Sequence, residues 1–324
     1  MGLRLVNQWL WDFWVVDDGH NYHLFYLQAP KSLIDGSLRH WNTSIGHAIS
    51  GDLIHWTVLP DALKVGLPGE WDDYGTWTGS IIKCKDIWYL LYTGIKKSES
   101  GLIQRIGLAT SDDLLHWTKY PYNPVLCADP KWYELFDPTF WHDQAWRDPW
   151  VFCHPQTGYF HALITARCAI GHPSGRGVIA HARSHDLIDW EVLPPLTQPG
   201  EFGDLEVPSL FKIKNRYYLL FSVLSTSHSQ ARLLRLGEEP VTGIHYMVAD
   251  DLLGIFNLTT NKFLLGDPTD PMGLLYCGKT VQDRYGQWWF LASRLSYADN
   301  NFVGELINPI SLSVDHQGNL ILQR

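Results

Sequence analysis

Five short runs of the chain are almost continuously apolar and rich in aromatic and β-branched residues. They are Tyr22-His-Leu-Phe-Tyr-Leu27, Trp88-Tyr-Leu-Leu-Tyr-Thr93, Tyr159-Phe-His-Ala-Leu-Ile164, Tyr217-Tyr-Leu-Leu-Phe-Ser222 and Trp288-Trp-Phe-Leu-Ala-Ser293. A strand with one wet face alternates apolar and polar positions, so these runs predict central strands buried on both faces. Asp18-Gly19, Thr157-Gly158, Lys214-Asn215 and Tyr285-Gly286 lie just ahead of four of them, and Lys85-Asp86 takes that place less ideally before the second. Such pairs supply the positive φ of a tight hairpin. A second pattern recurs further along: Ser50-Gly-Asp-Leu-Ile-His-Trp56, Ser111-Asp-Asp-Leu-Leu-His-Trp117 and Ser184-His-Asp-Leu-Ile-Asp-Trp190, with a degenerate Asp250-Asp-Leu-Leu253. It predicts the turn from a third strand into an outer fourth one.

A unit of about 60 to 70 residues repeated five times is what a radial array of four-stranded sheets produces. The expectation is an all-β chain, a five-bladed β-propeller forming a single domain over residues 1–324, with no C-terminal β-sandwich. A β-sandwich would explain the strands but not a Trp-terminated turn at a fixed offset.

Charge and composition narrow the partners. The formal net charge is -9 and no Lys/Arg cluster is present, which argues against nucleic acid. No apolar run is long enough for a bilayer, so no membrane role is expected. The five cysteines are odd in number, widely spaced and free of C-x-x-C pairs, which points away from a disulfide framework or a zinc site. No basic head followed by an apolar stretch precedes Trp9, and a reducing cytoplasmic setting is expected. The 16 Trp, 15 Tyr and 13 Phe serve a propeller core and equally suit a surface that packs on sugar C–H groups.

A propeller brings its inner strands together round one axis, so acids far apart in sequence can meet there. Three stand in apolar, aromatic settings on separate units: Asp12 in Trp9-Leu-Trp-Asp-Phe-Trp14, Asp148 in Trp146-Arg-Asp-Pro-Trp150, and Glu206 in Leu205-Glu-Val-Pro-Ser-Leu-Phe211. Glycoside hydrolysis needs one carboxylate as nucleophile or base and a second as proton donor, and a third can fix the sugar. Singly, each acid also reads as a cap, a partner of Arg147 or a strand-end charge. Asp72 and Asp73 before Trp77-Thr-Gly-Ser80, and Asp52, Asp113 and Asp186 of the repeated turn, read as structural acids that bind backbone N–H groups. No His-Glu-x-x-His, compact His/Asp cluster, nucleophile elbow or phosphate loop occurs, so no metal and no cofactor are expected.

At these residues the sequence resembles glycoside hydrolase family 32, the invertases, levanases and inulinases, with some likeness to the family 68 levansucrases. Trp9-Leu-Trp-Asp12, then Tyr22-His-Leu-Phe-Tyr26 and Pro30, looks like W-M-N-D-P-N-G followed by Y-H-L-F-Y-Q-x-x-P. Trp11-Asp-Phe-Trp14 is closer to the levansucrase W-D-x-W. Gly46-His-Ala-Ile-Ser-Gly-Asp-Leu-Ile-His-Trp56, Trp77-Thr-Gly-Ser80, Arg147-Asp-Pro149 and Glu206-Val-Pro208 match G-H-A-x-S-x-D-L-x-H-W, F-S-G-S, R-D-P and E-C-P. Asn308-Pro-Ile-Ser-Leu-Ser through Gly318-Asn-Leu320 resembles the close of that family's propeller.

The resemblance implies a retaining β-fructofuranosidase acting on sucrose or a short fructan. Asp12 would be the nucleophile, Glu206 the general acid/base and Asp148 the transition-state stabiliser. Trp9, Trp77, Thr78 and Arg147 would line a furanoside pocket with Gln28, which stands one residue later than the family's glutamine. Three departures remove hydrogen-bonding groups near the sugar: Trp11 for Asn, Phe13-Trp14-Val15 for Pro-Asn-Gly, and Val207 for Cys. Inverting arabinofuranosidases and xylosidases of families 43 and 62 use a similar acid set, fructosyl transfer differs only in its acceptor, and a non-catalytic carbohydrate-binding propeller is the reading from another class.

Overall fold

Each aromatic run forms the second strand of an antiparallel sheet, and five such sheets follow one another along the chain. The computed structural model describes residues 2–237, 239–259, 263–265, 272–297 and 301–323. From the axis outwards, the first blade is Gln8–Asp17, Tyr22–Pro30, Ser44–Ser50 and Thr57–Leu63, and the second is Gly75–Cys84, Ile87–Ile95, Gln104–Ser111 and Thr118–Lys119. The third is Trp146–Cys153, Phe160–Arg167, Gly177–Ser184 and Trp190–Leu193. The fourth is Glu206–Ile213, Arg216–Val223, Gly243–Ala249 and Asn257–Leu258, with Leu264–Leu265 also on its third strand. The fifth is Leu274–Gln282, Trp288–Ser296, Ile310–Val314 and Leu320–Gln323, with Phe302–Leu306 also on its second strand. The chain is thus the expected five-bladed β-propeller, and Asn308 through Leu320 lead into and join its outermost strands.

Burial explains the absence of alternation in the second strands. Their side chains pack against neighbouring blades on both faces, as Tyr26, Leu90, Leu163, Leu219 and Phe290 do. The repeated turn has a common geometry. Asp52 Oδ1 accepts from the backbone of Ile54 and His55 at 2.9 and 2.8 Å, Asp113 Oδ1 from Leu115 and His116, and Asp186 Oδ1 from Ile188 and Asp189. The leucine after each acid takes φ of 64 to 69° and buries its side chain. That buried leucine offsets the steric cost of a left-handed residue.

Among the described residues every blade is cut from one continuous stretch of chain, and no strand is shared between the first and last. Arg284 closes that seam with bonds to both oxygens of Asp17 at 2.6 and 3.1 Å, and the Leu306 N–H donates to the Leu3 carbonyl at 3.0 Å.

The feature that positions the site is a bulge in every inner strand. Pairing slips between Leu10 and Phe13, Trp77 and Gly79, Arg147 and Trp150, Glu206 and Ser209, and Tyr276 and Lys279. A bulge re-aims side chains out of the alternating order. Asp148, Val207 and Cys277 sit in these bulges with φ of 58, 53 and 51°. Positive φ is uncommon for Asp and Cys and a true outlier for a β-branched Val.

Candidate active site

The bulges aim one set of side chains at one space. Asp12, Thr78, Asp148, Glu206 and Tyr276 come from the five successive inner strands, each ten to twelve residues ahead of its aromatic run. Thr78 Oγ1 donates to Asp12 Oδ2 at 2.7 Å. Arg147 Nη2 donates to Glu206 Oε1 at 2.7 Å, and the Tyr276 hydroxyl hydrogen-bonds Glu206 Oε2. The Val207 N–H, next to Glu206, donates to Asp148 Oδ2 at 3.1 Å.

Hydroxyls on the second strands tie each bulge to its neighbour. Thr93 Oγ1 accepts from the Asp148 N–H at 2.9 Å, and Ser222 Oγ accepts from the Cys277 N–H at 2.9 Å. Thr165 Oγ1 lies 3.0 Å from both Asp148 Oδ2 and the Leu205 carbonyl. Its single proton is shared between these two acceptors, which ties the Asp148 carboxyl to the backbone leading into Glu206.

The electrostatics follow from burial. Asp148 is 5% exposed, and its carboxyl is pushed up to about 7, first by loss of water, against the pull of Arg147, with Asp12 and Glu206 adding to the rise. Asp12 is raised for the same first reason, opposed by the Thr78 hydrogen bond. Asp204, two residues before Glu206, is buried and also reaches about 7. Arg147 is held firmly protonated: burial disfavours its charge, but Asp143, Glu206, Asp204 and Asp148 surround it. One guanidinium thus serves four acids, with bonds or ion pairs of 2.7 Å to Glu206, 3.3 Å to Asp143, 3.6 Å to Asp204 and 3.9 Å to Asp148. Asp143 Oδ1 and Asp204 Oδ1 are buried without a hydrogen-bond partner among the described residues, leaving acceptor capacity next to Glu206.

Of the residues singled out in the sequence, Asp12, Thr78, Arg147, Asp148 and Glu206 form this network. Trp77 is tied to its edge, with Nε1 donating to the His40 carbonyl at 2.8 Å. Trp9 is buried edge-on against Phe302 at 5.9 Å. Gln28 faces elsewhere: its amide donates to Asp61 Oδ1 at 2.7 Å and Ser44 Oγ at 3.2 Å, along its own blade. Its register partner is Leu10, and blade geometry has turned it to the outer strands rather than to the acids. Trp11, Phe13 and Trp14, the departures beside Asp12, are all buried core residues. Asp72 is structural, accepting from Tyr92 at 2.9 Å and Lys119 at 2.6 Å.

Sequence reasoning found the fifth blade but not its side chains at the site, nor the Gly36–Trp41 turn beside it. Tyr276 was detectable only by its offset of twelve residues from Trp288, and Lys279 by no sequence signal, since neither is an acid. Arg39 and His40 lie on the short 3-10 turn Gly36–Trp41. The Arg39 guanidinium packs over Phe302 at 4.0 Å and Trp11 at 5.6 Å, and its charge interacts with Asp12 and Glu206. Burial and the Arg39 charge press the His40 imidazole down to about 3, keeping it neutral.

Residues 14–268 match the model of the glycosyl hydrolases family 32 N-terminal domain. The chain belongs to that family. It is 41% identical over 288 residues to acid β-fructofuranosidase AIV-18 of Capsicum annuum, covering 85% of this chain and 38% of that one. It is 30% identical over 214 residues to sucrose-6-phosphate hydrolase of Zymomonas mobilis, covering 62% and 38%. The chain therefore spans about two-fifths of the length of these curated relatives. Among solved structures, inulosucrase from Halalkalicoccus jeotgali, bound to kestose, superposes with a TM-score of 0.78 at 22% identity over 99% of this chain and 89% of that one, which establishes a shared fold.

Proposed function

We propose that the chain is a retaining β-fructofuranosidase that cleaves sucrose or a short fructan. The observation that carries this reading is the meeting of Asp12, Asp148 and Glu206 at one space through Thr78, Arg147 and Tyr276. Family membership and the Capsicum relative support the substrate class.

Asp12 attacks the anomeric carbon while Glu206 passes a proton to the departing oxygen, leaving a fructosyl ester on Asp12. Glu206 then takes a proton from water, which attacks the ester and releases the sugar with its configuration retained. Arg147 and Tyr276 fix the Glu206 carboxyl, so that it faces the leaving oxygen without a search over rotamers. Asp148 binds the sugar's ring hydroxyls, and its share of negative charge favours the oxocarbenium-like transition state.

Charge sharpens the substrate. Among the described residues, the five acids Asp12, Asp143, Asp148, Asp204 and Glu206 face four cations, Arg39, Arg147, Arg167 and Lys279. An excess of acids repels an added phosphate, so an uncharged fructoside fits better than a phosphorylated one. Assays of the purified chain on sucrose, inulin, levan, sucrose 6-phosphate and aryl arabinofuranosides test this. Release of fructose from uncharged β-fructofuranosides is expected. Turnover confined to arabinofuranosides, or to the phosphorylated sugar, would overturn it.

A further inference from the structure

Lys279 is a cation in an unlikely place. It follows the bulge in the inner strand of the fifth blade and is 3% exposed. Its ammonium donates to the carbonyls of Val207 and Pro208 at 3.2 and 2.9 Å. Those two residues are the bulge immediately after Glu206. The same ammonium lies 5.0 Å from the ring centre of Trp150, the residue that follows the Asp148-Pro149 bulge. One side chain from the fifth blade therefore braces the backbone of the fourth and packs on the third.

Among the described residues, this buried ammonium has two carbonyl acceptors and an aromatic face but no hydrogen-bonded carboxylate. Burying an unneutralised ion costs several kcal/mol, and an uncharged side chain of similar length, such as methionine, would fill the same space without that cost. The charge must act on something nearby. Glu206 is held by Arg147, which already serves four acids, and Arg39 lies on the Gly36–Trp41 turn beside the acids. Asp148 shares Arg147 with three other acids, and Asp12 has Arg39 as its other cation.

We propose that Lys279 is a positioning residue for the reaction, holding the Val207-Pro208 bulge that sets Glu206 and supplying a fixed positive charge to Asp12 and Asp148. The proposal rests on the fructofuranosidase reading for its kinetic consequence but not for its electrostatic one. Burial lowers the ammonium's pKa, and Cys277, Asp148 and Asp12 each oppose that fall. Asp12 also faces Thr78, Glu206, Arg39, Tyr276 and Cys277, while Asp148 faces Arg147, Asp12, Glu206 and Cys277.

The test compares Lys279→Met and Lys279→Arg with the native chain by two readouts. The first is the pH profile of kcat/KM on sucrose. The Met variant should fold, lose roughly 10²-fold in kcat with a smaller change in KM, and show an acid limb moved up on the order of one pH unit. The Arg variant, which keeps the charge, should keep the limb in place. The second readout, carboxyl ¹³C NMR titration assigned with Asp12→Asn and Asp148→Asn, needs no turnover and should show both aspartates titrating higher in Lys279→Met. If the native chain cleaves no furanoside, the functional reading fails while the titration still decides the role of Lys279. Lower activity with an unmoved limb and unmoved titrations would mean a mere structural brace and overturn the proposal. Should the Met variant not fold, Lys279→Gln, which keeps a donor for the carbonyls and drops the charge, provides the same comparison.

Discussion

Aspartates at the axis and aspartates at the rim of this propeller have opposite chemistry. At the rim, Asp52 and Asp113 each accept two backbone N–H groups and a histidine ring, and these bonds hold the carboxyls well below the usual range. At the axis, Asp12, Asp148 and Asp204 are cut off from water and rise instead. The side chain is the same, so the difference lies in what replaces its water: satisfied dipoles outside, other acids and little solvent inside. The rim acids build turns, and the axial ones carry stored electrostatic energy.

The sharpest way to break this contrast is to remove an axial acid. Asp12→Asn and Glu206→Gln are expected to cut turnover about 10⁴-fold or more with folding intact, measured by steady-state kinetics and circular dichroism. Substantial residual activity in either would overturn their assigned roles. Asp148→Asn should lose roughly 10² to 10³-fold in kcat.

The same Asp148→Asn change should stabilise the fold at neutral pH. Asp148 titrates at about 7 in the folded chain and near the ordinary aspartate value when unfolded. Between those values the folded state holds the extra proton, so the native chain loses stability as pH rises through this window and the Asn variant does not. The variant should exceed the native chain by roughly 1–3 kcal/mol at pH 8 and converge on it below about pH 4, read from denaturant midpoints. A constant difference at all pH values would show that Asp148 is not raised.

Buried imidazoles work in the opposite sense. His47, His181 and His245 are pressed down to about 3, chiefly by burial, so the unfolded chain takes up protons that the folded one refuses. Their contribution is present above about pH 6.5 and is lost as pH falls towards 3. His181→Gln should weaken the acid loss seen in thermal melts below pH 6. The smallest effect belongs to the rim: Asp113→Ala should cost about 1 kcal/mol of stability and leave kcat/KM unchanged.

The fold was legible wherever burial was continuous. Runs such as Tyr22–Leu27 and Trp88–Thr93 carry no polar face and could be nothing but central strands, and the Asp-Leu-x-x-Trp turns marked the step outwards. Two-residue outer strands such as Thr118–Lys119 left no periodic trace. Asp12 and Asp148 stand out as acids among tryptophans, and Glu206 as a lone acid ahead of an apolar strand. Tyr276 and Lys279 do not, since an aromatic and a lysine in a strand look ordinary until a bulge turns them inwards. Gln28, one residue past the family's glutamine, bonds to Asp61 and Ser44 along its own blade, because a one-residue step in a strand changes the face a side chain reaches.

The unshared seam between first and last sheets means that the ring is latched by Arg284, Asp17 and a backbone contact at Leu3, not zipped by a common strand. Asp12 sits on one side of that latch, Tyr276 on the other. Any molecule that touched both would act as a clasp, so occupancy and mechanical integrity of the toroid should rise and fall together.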